Sequence, residues 1–194
     1  MSGLRERKKE RTRGAIQREA LRLIALRGYE ATTCEQIAAA AEVSPATLFR
    51  YFATKEDIVL QDDYDPLIAE AIRARPAHES PLTAVRRGLA DTFAVVYQGD
   101  AEVIRQRTAL ILSVPGLRAR SREQLDSLVT HLTSALAERS GRCRKEFDIE
   151  VAASCCAAVL EVAVGRWARD GGDLSSHVDQ AFEALGQLTR GPQP

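Results

Sequence analysis

Apolar residues recur along almost the whole chain at intervals of three and four, and no alternating strand-like run competes with them. The pattern predicts an all-α protein of about nine helices. In residues 8–27, Ile16, Ala20, Leu23 and Ile24 form one stripe, and Gly28 is a natural stop. Thr33, followed three residues later by Gln36, has the spacing of a capping box. It opens a short helix holding Ile37, Ala38, Ala40 and Ala41. Ser44 caps a third helix, with Pro45 at its first position. Only residues 41–43 separate the two, so they must cross steeply. Thr54 with Asp57 starts a fourth helix. Three start signals so close together specify this stretch strongly.

Beyond Lys55 the helices lengthen. The run 55–75 is expected to break or kink at Asp65-Pro66. Ser80-Pro81 starts a helix reaching about Gln98, and Gly99-Asp100 separates it from one ending near Val114. Pro115-Gly116 reads as a turn before a long helix to Ser140, with Leu125, Leu128, Val129, Leu132 and Leu136 on one side. After the loop "GRCRKE", a helix over 146–169 precedes "DGGD", and Asp173 caps the last helix. The ends, roughly 1–8 and 190–194, read as frayed. Three short helices in front and a larger bundle behind give two domains, 1–54 and 55–194, with a helix-turn-helix over about 33–52.

The third helix carries the candidate chemistry. At about 100° per residue, Leu48 and Phe52 point the same way and bury. Ala46 and Arg50 point nearly opposite, Thr47 and Tyr51 flank them on one side and Phe49 on the other. A small residue lets a backbone approach, Arg50 can reach guanine or phosphate, and Thr47 and Tyr51 can reach phosphate. The plain alternative packs Phe49 and Tyr51 between neighbouring helices and leaves Arg50 solvated.

Charge favours the nucleic-acid reading. The whole chain balances 27 Lys and Arg against 27 Asp and Glu, yet residues 1–27 hold nine basic residues and three Glu. A basic arm on a neutral protein is the footprint of a local anionic partner.

Residues 28–57, "GYEATTCEQIAAAAEVSPATLFRYFATKED", resemble the tetracycline-repressor (TetR) family of transcriptional regulators. The resemblance implies a pseudo-palindromic DNA operator bound by a homodimer. It implies that Thr33 contacts phosphate, that Ser44, Pro45, Ala46, Thr47, Phe49, Arg50 and Tyr51 present the DNA-reading helix, and that Lys55 holds phosphate. Two residues depart from the family pattern. Glu42 stands where Gly is common, and is strained if that position needs a left-handed backbone. Phe49 stands where Tyr is common, and lacks a hydroxyl for phosphate.

A reading helix alone covers few bases, so a dimer is required. The last two helices are the expected interface, the penultimate one through small residues Ala152, Ala153, Cys156, Ala157, Ala163 and Gly165. The middle helices are expected to house a small effector. Candidate pocket residues are Phe93, Tyr97 and Trp167, with Arg107 or Arg105 as polar anchor. Aromatics make up only 5% of the chain, which fits an aliphatic ligand better than a flat aromatic one. The N-terminal stretch "RERKKERTR…TTCEQIAAAAEVSPATLFRYFATKED" also looks similar to family members that sense acyl-CoA thioesters. Effector binding is expected to move the fourth helix and change the separation of the two reading helices.

Other classes are weighed against this. Cysteines 34, 143, 155 and 156 show no CxxC spacing, so no metal is expected. Cys155 and Cys156 read as small core residues, with a redox-sensing regulator as the alternative. His78, His131 and His177 belong to no HExxH, GxSxG, P-loop or dinucleotide pattern, so a helical enzyme is disfavoured and no cofactor is expected. The N-terminus is charged through Arg13, and the longest apolar run, "VAASCCAAVL", is about half a membrane span. A cytoplasmic protein is expected.

Overall fold

The computed structural model describes residues 2–61, 64–96 and 101–190. These residues form ten helices and no strand: α1 (Ser2–Arg27), α2 (Cys34–Ala40), α3 (Pro45–Tyr51), α4 (Lys55–Leu60), α5 (Tyr64–Arg73), α6 (Pro81–Val96), α7 (Ala101–Ser113), α8 (Pro115–Ser140), α9 (Phe147–Asp170) and α10 (Leu174–Arg190). The all-α expectation holds. The count of nine becomes ten because the run expected from Lys55 is two helices. Gln61 takes an extended backbone after α4. Pro66 then sits in the first turn of α5, where its missing N–H has no intrahelical partner to lose.

Two further sequence expectations shift. Helix α1 starts at Ser2, ahead of residue 8, since Arg, Lys and Glu are good helix formers. Pro115-Gly116 is not a turn but the first turn of α8, with Pro115 at its first position and Val114 extended before it.

The chain divides into two compact units, Met1–Gln61 and Asp62–Pro194. The first is a small four-helix unit around Ile16, Ala20, Leu23, Ile37, Ala38, Leu48, Phe52 and Ile58. Its division falls after α4, later than the sequence boundary near Lys55, because α4 is tied to α1. Gln17 donates from Nε2 to the carbonyls of Ile58 (3.2 Å) and Gln61 (2.7 Å).

Caps fix the short helices. Thr33 and Gln36 close the expected capping box, with Gln36 N–H to Thr33 Oγ1 at 3.3 Å and Thr33 N–H to Gln36 Oε1 at 3.2 Å. Thr54 and Asp57 form another, at 3.0 and 3.1 Å. Between α2 and α3 the chain makes a Schellman turn: Glu42 N–H donates to Ala39 O and Val43 N–H to Ala38 O. Glu42 occupies the left-handed position, with φ 55°.

The second unit packs α5–α10 around one apolar core that includes Ile72, Leu89, Leu132, Leu136, Cys156 and Trp167. Gly88 lets α6 approach α5, since a Cβ there would lie 2.7 Å from Ile72 Cγ1. Arg86 Nε donates to Asp179 Oδ1 at 2.5 Å and links α6 to α10, and Arg73 links α5 to Glu138 of α8 at 2.6 Å.

Candidate nucleic-acid interface

Helix α3 is held from beneath and capped at its front. Leu48 is fully buried and Phe52 almost so, as the wheel requires. Ser44 Oγ accepts the Thr47 N–H at 3.1 Å and donates to Thr47 Oγ1 at 3.0 Å. That pair fixes the Thr47 rotamer while leaving its hydroxyl hydrogen to donate outward. Pro45, Ala46, Phe49 and Arg50 are exposed, and Thr47 and Tyr51 are half-buried. Phe49, an apolar ring 48% exposed, is not a core residue of this unit. The Arg50 guanidinium lies 5.5 Å from the Tyr51 ring centre, near enough for the ring to steady the cation. The result is one continuous outward face: small, hydroxyl, apolar, cationic.

Thr33 is exposed at the start of α2, but its hydroxyl is already engaged. It accepts the Gln36 N–H and bonds the neighbouring Glu35 carboxylate. That carboxyl is held below its ordinary pKa by its own backbone N–H first and by Thr33 second. A charged Glu35 beside the expected phosphate contact was not foreseen from the sequence.

Lys55 is also committed. Its Nζ donates to the carbonyls of Tyr29 (2.8 Å) and Thr32 (3.1 Å) and lies 4.1 Å from the Tyr29 ring centre. Tyr29 Oη in turn donates to Glu56 Oε1 at 2.8 Å. The start of α4 thus clamps the loop that leads into α2. Arg13, on α1, sits 5.6 Å from the centre of the Phe52 ring, which ends α3. The first turns of α1 run on ahead of that contact, with Arg7, Lys8, Lys9 and Arg11 all exposed.

In the second unit, Phe93 and Trp167 meet at a cavity of about 240 Å³, together with Ala94, Ala101, Leu174 and the 172–175 loop and helix start. Two of the expected pocket residues are therefore brought together. Arg107 does not line this cavity, and Tyr97 lies outside the described residues. Arg105 does not line it either; it donates to the Ala168 carbonyl (3.2 Å) and pairs with Glu102. Asp173, read from the sequence only as a cap, is an exposed charged side chain that, among the described residues, borders this cavity. No local pattern could have shown this, because the wall is assembled from four separate helices.

Residues 16–61 match the family model described as bacterial regulatory proteins, tetR family, and residues 79–189 match the one described as the MftR C-terminal domain. The chain belongs to the TetR family. The HTH-type transcriptional regulator TcmR of Streptomyces glaucescens is 38% identical over 146 residues, 72% of this chain; the match spans 65% of TcmR's own length. The HTH-type transcriptional repressor KstR2 of Mycobacterium tuberculosis is 28% identical over 189 residues, covering 92% of this chain and 93% of KstR2. Among solved structures, the TetR-family repressor FadR of Thermus thermophilus, in complex with lauroyl-CoA, is similar with a TM-score of 0.53 and 25% identity, over 94% of this chain and 97% of FadR. These relatives are transcriptional regulators, not enzymes.

For this TetR-family chain, the C-terminal helices correct one sequence reading. Ala153, Cys156, Ala157, Ala163 and Gly165 of α9 are buried in the unit's own core rather than offered to a partner. The face of α9 left open holds Val151 (43% exposed), Cys155, Ala158 and Val162 (65% exposed). On α10, Ala184 and Leu188 are exposed. Cys155 is thus outside the core and only Cys156 within it, where burial pushes its thiol up to about 12. Among the described residues no helix is long and apolar enough to cross a membrane.

Proposed function

We propose that this TetR-family regulator is a ligand-responsive repressor that binds a two-fold-symmetric DNA operator as a homodimer. Residues 1–61 read the DNA, and the second unit dimerises and takes the effector. The observation that carries the reading is the division of α3: Leu48 and Phe52 hold it in the core while Ala46, Phe49 and Arg50 stand exposed on a capped, rigid helix. Arg50 is the base-reading candidate. Ser44, Pro45, Ala46, Thr47, Phe49 and Tyr51 contact the groove wall and backbone, Phe49 by van der Waals contact alone. Thr33 contributes through its backbone position, and Lys55 mainly by holding the loop before α2, with one N–H left for phosphate.

The dimer forms through α9 and α10. Their exposed apolar side chains, Val151, Val162 and Leu188, support this, since a two-fold axis lets one such face cover its copy. Effector and operator binding are linked: an effector lowers operator affinity only as far as it favours the state that binds DNA less well. The likeness to FadR supports an acyl-type effector. The cavity itself argues for something smaller, because about 240 Å³ falls below clefts that hold drug-sized ligands, roughly 300–1,000 Å³. A cysteine sensor gains no support from Cys156, whose raised pKa keeps it a thiol.

Selection of duplex DNA from a random pool by the full chain tests the reading. The expected product is an inverted repeat whose half-site centres lie about one helical turn, roughly 34 Å, or a multiple apart. Arg50→Ala should weaken binding to it by about 1–3 kcal/mol and relax selectivity at one position per half-site. Recovery of sequences without a dyad, or an Arg50→Ala protein of unchanged selectivity, would overturn it.

A further inference from the structure

We propose that Phe49, with Ala46 beside it, reads the C5-methyl group of a thymine, one in each half of the operator. This rests on the reading of α3 as the DNA-reading helix, and it adds a base contact that Arg50 does not supply.

The outward face of α3 is divided by chemistry. At about 100° per residue, Ala46 and Phe49 lie on one side of Arg50, and Thr47 and Tyr51 on the other. Pro45 lies beyond Phe49. Pro45, Ala46, Phe49 and Arg50 are exposed, and Thr47 and Tyr51 are half-buried. One side is therefore apolar, and the other carries hydroxyls. The Arg50 guanidinium lies 5.5 Å from the centre of the Tyr51 ring, so it leans to the hydroxyl side and leaves Phe49 uncovered.

The two sides suit different parts of a duplex. Phosphates are met by hydrogen-bond donors, which Thr47, Tyr51 and Arg50 carry. The side chains of Pro45, Ala46 and Phe49 carry none, and Pro45 lacks even a backbone N–H. Set against the sugar–phosphate wall, this side would take water from phosphate oxygens and return no bond. Set against base edges, it meets the apolar group of the major groove, the thymine methyl.

Phe49 is open to that contact. Its ring is 48% exposed and stands outside the core that holds Leu48 and Phe52. Ala46, three residues earlier, is its neighbour on the helix surface, so methyl and ring make one shallow apolar surface. Arg50 flanks that surface, and the same unit exposes Arg7, Lys8, Lys9 and Arg11. What covers the ring therefore belongs to an anionic partner, as duplex DNA is, rather than to an apolar protein face.

Uracil differs from thymine only by this methyl. The inverted repeat selected by the full chain is remade with uracil at each thymine in turn, and binding is read by gel shift. At one thymine per half-site, uracil is expected to weaken binding about fourfold, as for one methyl left unburied. Phe49→Ala should bind thymine and uracil at that position equally. Phe49→Leu, still apolar, should keep part of the difference. Uracil tolerated at every thymine, a half-site without thymine, or a uracil effect that survives Phe49→Ala overturns the proposal. A dyad with Arg50-dependent selectivity that is indifferent to uracil overturns this contact and leaves the operator reading standing. Sequences without a dyad, whose uracil sensitivity disappears in Phe49→Ala, remove the operator reading and uphold the contact.

Discussion

The ammonium of Lys55 lies 2.8 Å from the Tyr29 carbonyl oxygen and 4.1 Å from the centre of the same residue's ring. A second carbonyl, that of Thr32, takes another of its N–H groups. One side chain at the start of α4 therefore holds the loop that sets where α2 begins. A phosphate contact would add to this, not replace it. Lys55→Met is expected to lower the stability of the first unit by about 1–2 kcal/mol, through two lost charge-assisted bonds and a cation–π contact. A purely DNA-contacting lysine would leave stability alone and reduce the slope of log K against log salt by about 0.9. Thermal unfolding and a salt series on the same variant decide between the two. The expected outcome is a clear loss of stability with a slope change below 0.9.

Glu42 holds the left-handed position of the Schellman turn between α2 and α3 at φ 55°. A non-glycine residue there costs roughly 1–2 kcal/mol, against roughly 0.5–1 kcal/mol for the greater freedom glycine loses on folding. Glu42→Gly is expected to stabilise the first unit by about 0.5–1 kcal/mol, read as a raised melting temperature. Operator affinity should rise slightly as well, because an exposed carboxylate beside the reading helix is removed.

The first unit was legible in the sequence because its signals are local. Thr33 with Gln36, Ser44 with Pro45, and Thr54 with Asp57 each fix a helix start within four residues, and all three form as read. The wheel around Leu48 and Phe52 needs only eight residues, and its inner face is buried as expected. What escaped was non-local. Periodicity showed that Ala153, Cys156 and Ala163 share a face of α9, but not that α9's own unit, rather than a second copy, covers it. A long lysine side chain has reach enough to meet phosphate or a carbonyl, and only the fold brings Tyr29 and Thr32 to Lys55. Asp173 read as a cap, which it is, and its place on the cavity wall depends on three other helices.

The first turns of α1 carry Arg7, Lys8, Lys9 and Arg11 on an exposed helix that runs up to Arg13, itself against the end of α3. Each phosphate neutralised adds about 0.9 to the slope of log K against log salt. Lys8→Gln with Lys9→Gln is expected to flatten that slope by up to about 1.8 and to weaken operator and non-operator DNA alike. Selectivity should be unchanged, since phosphate contacts carry no sequence information. An unaltered slope would place these turns away from DNA.

Glu79 is the acid to watch as pH falls. Arg75 binds it through two nitrogens, at 2.6 and 3.1 Å, and Arg87 adds a third bond at 2.5 Å. These bonds, those of Arg75 foremost, hold its carboxyl at about 2, below the ordinary 4.5. A folded-state pKa below the unfolded one means stability that is fully present above about pH 4.5 and lost as pH falls toward 2. Glu79→Gln should therefore destabilise the second unit at pH 6 and much less near pH 2. It should also remove about one proton from the uptake on unfolding across that window. Denaturant unfolding of wild type and variant at several pH values between 6 and 2 measures both. Arg75 and Arg87 face the same carboxylate from the α5–α6 loop and from α6. Once Glu79 is neutral, those two guanidiniums lose their shared counter-charge, and the loop that joins α5 to α6 is the first part expected to open.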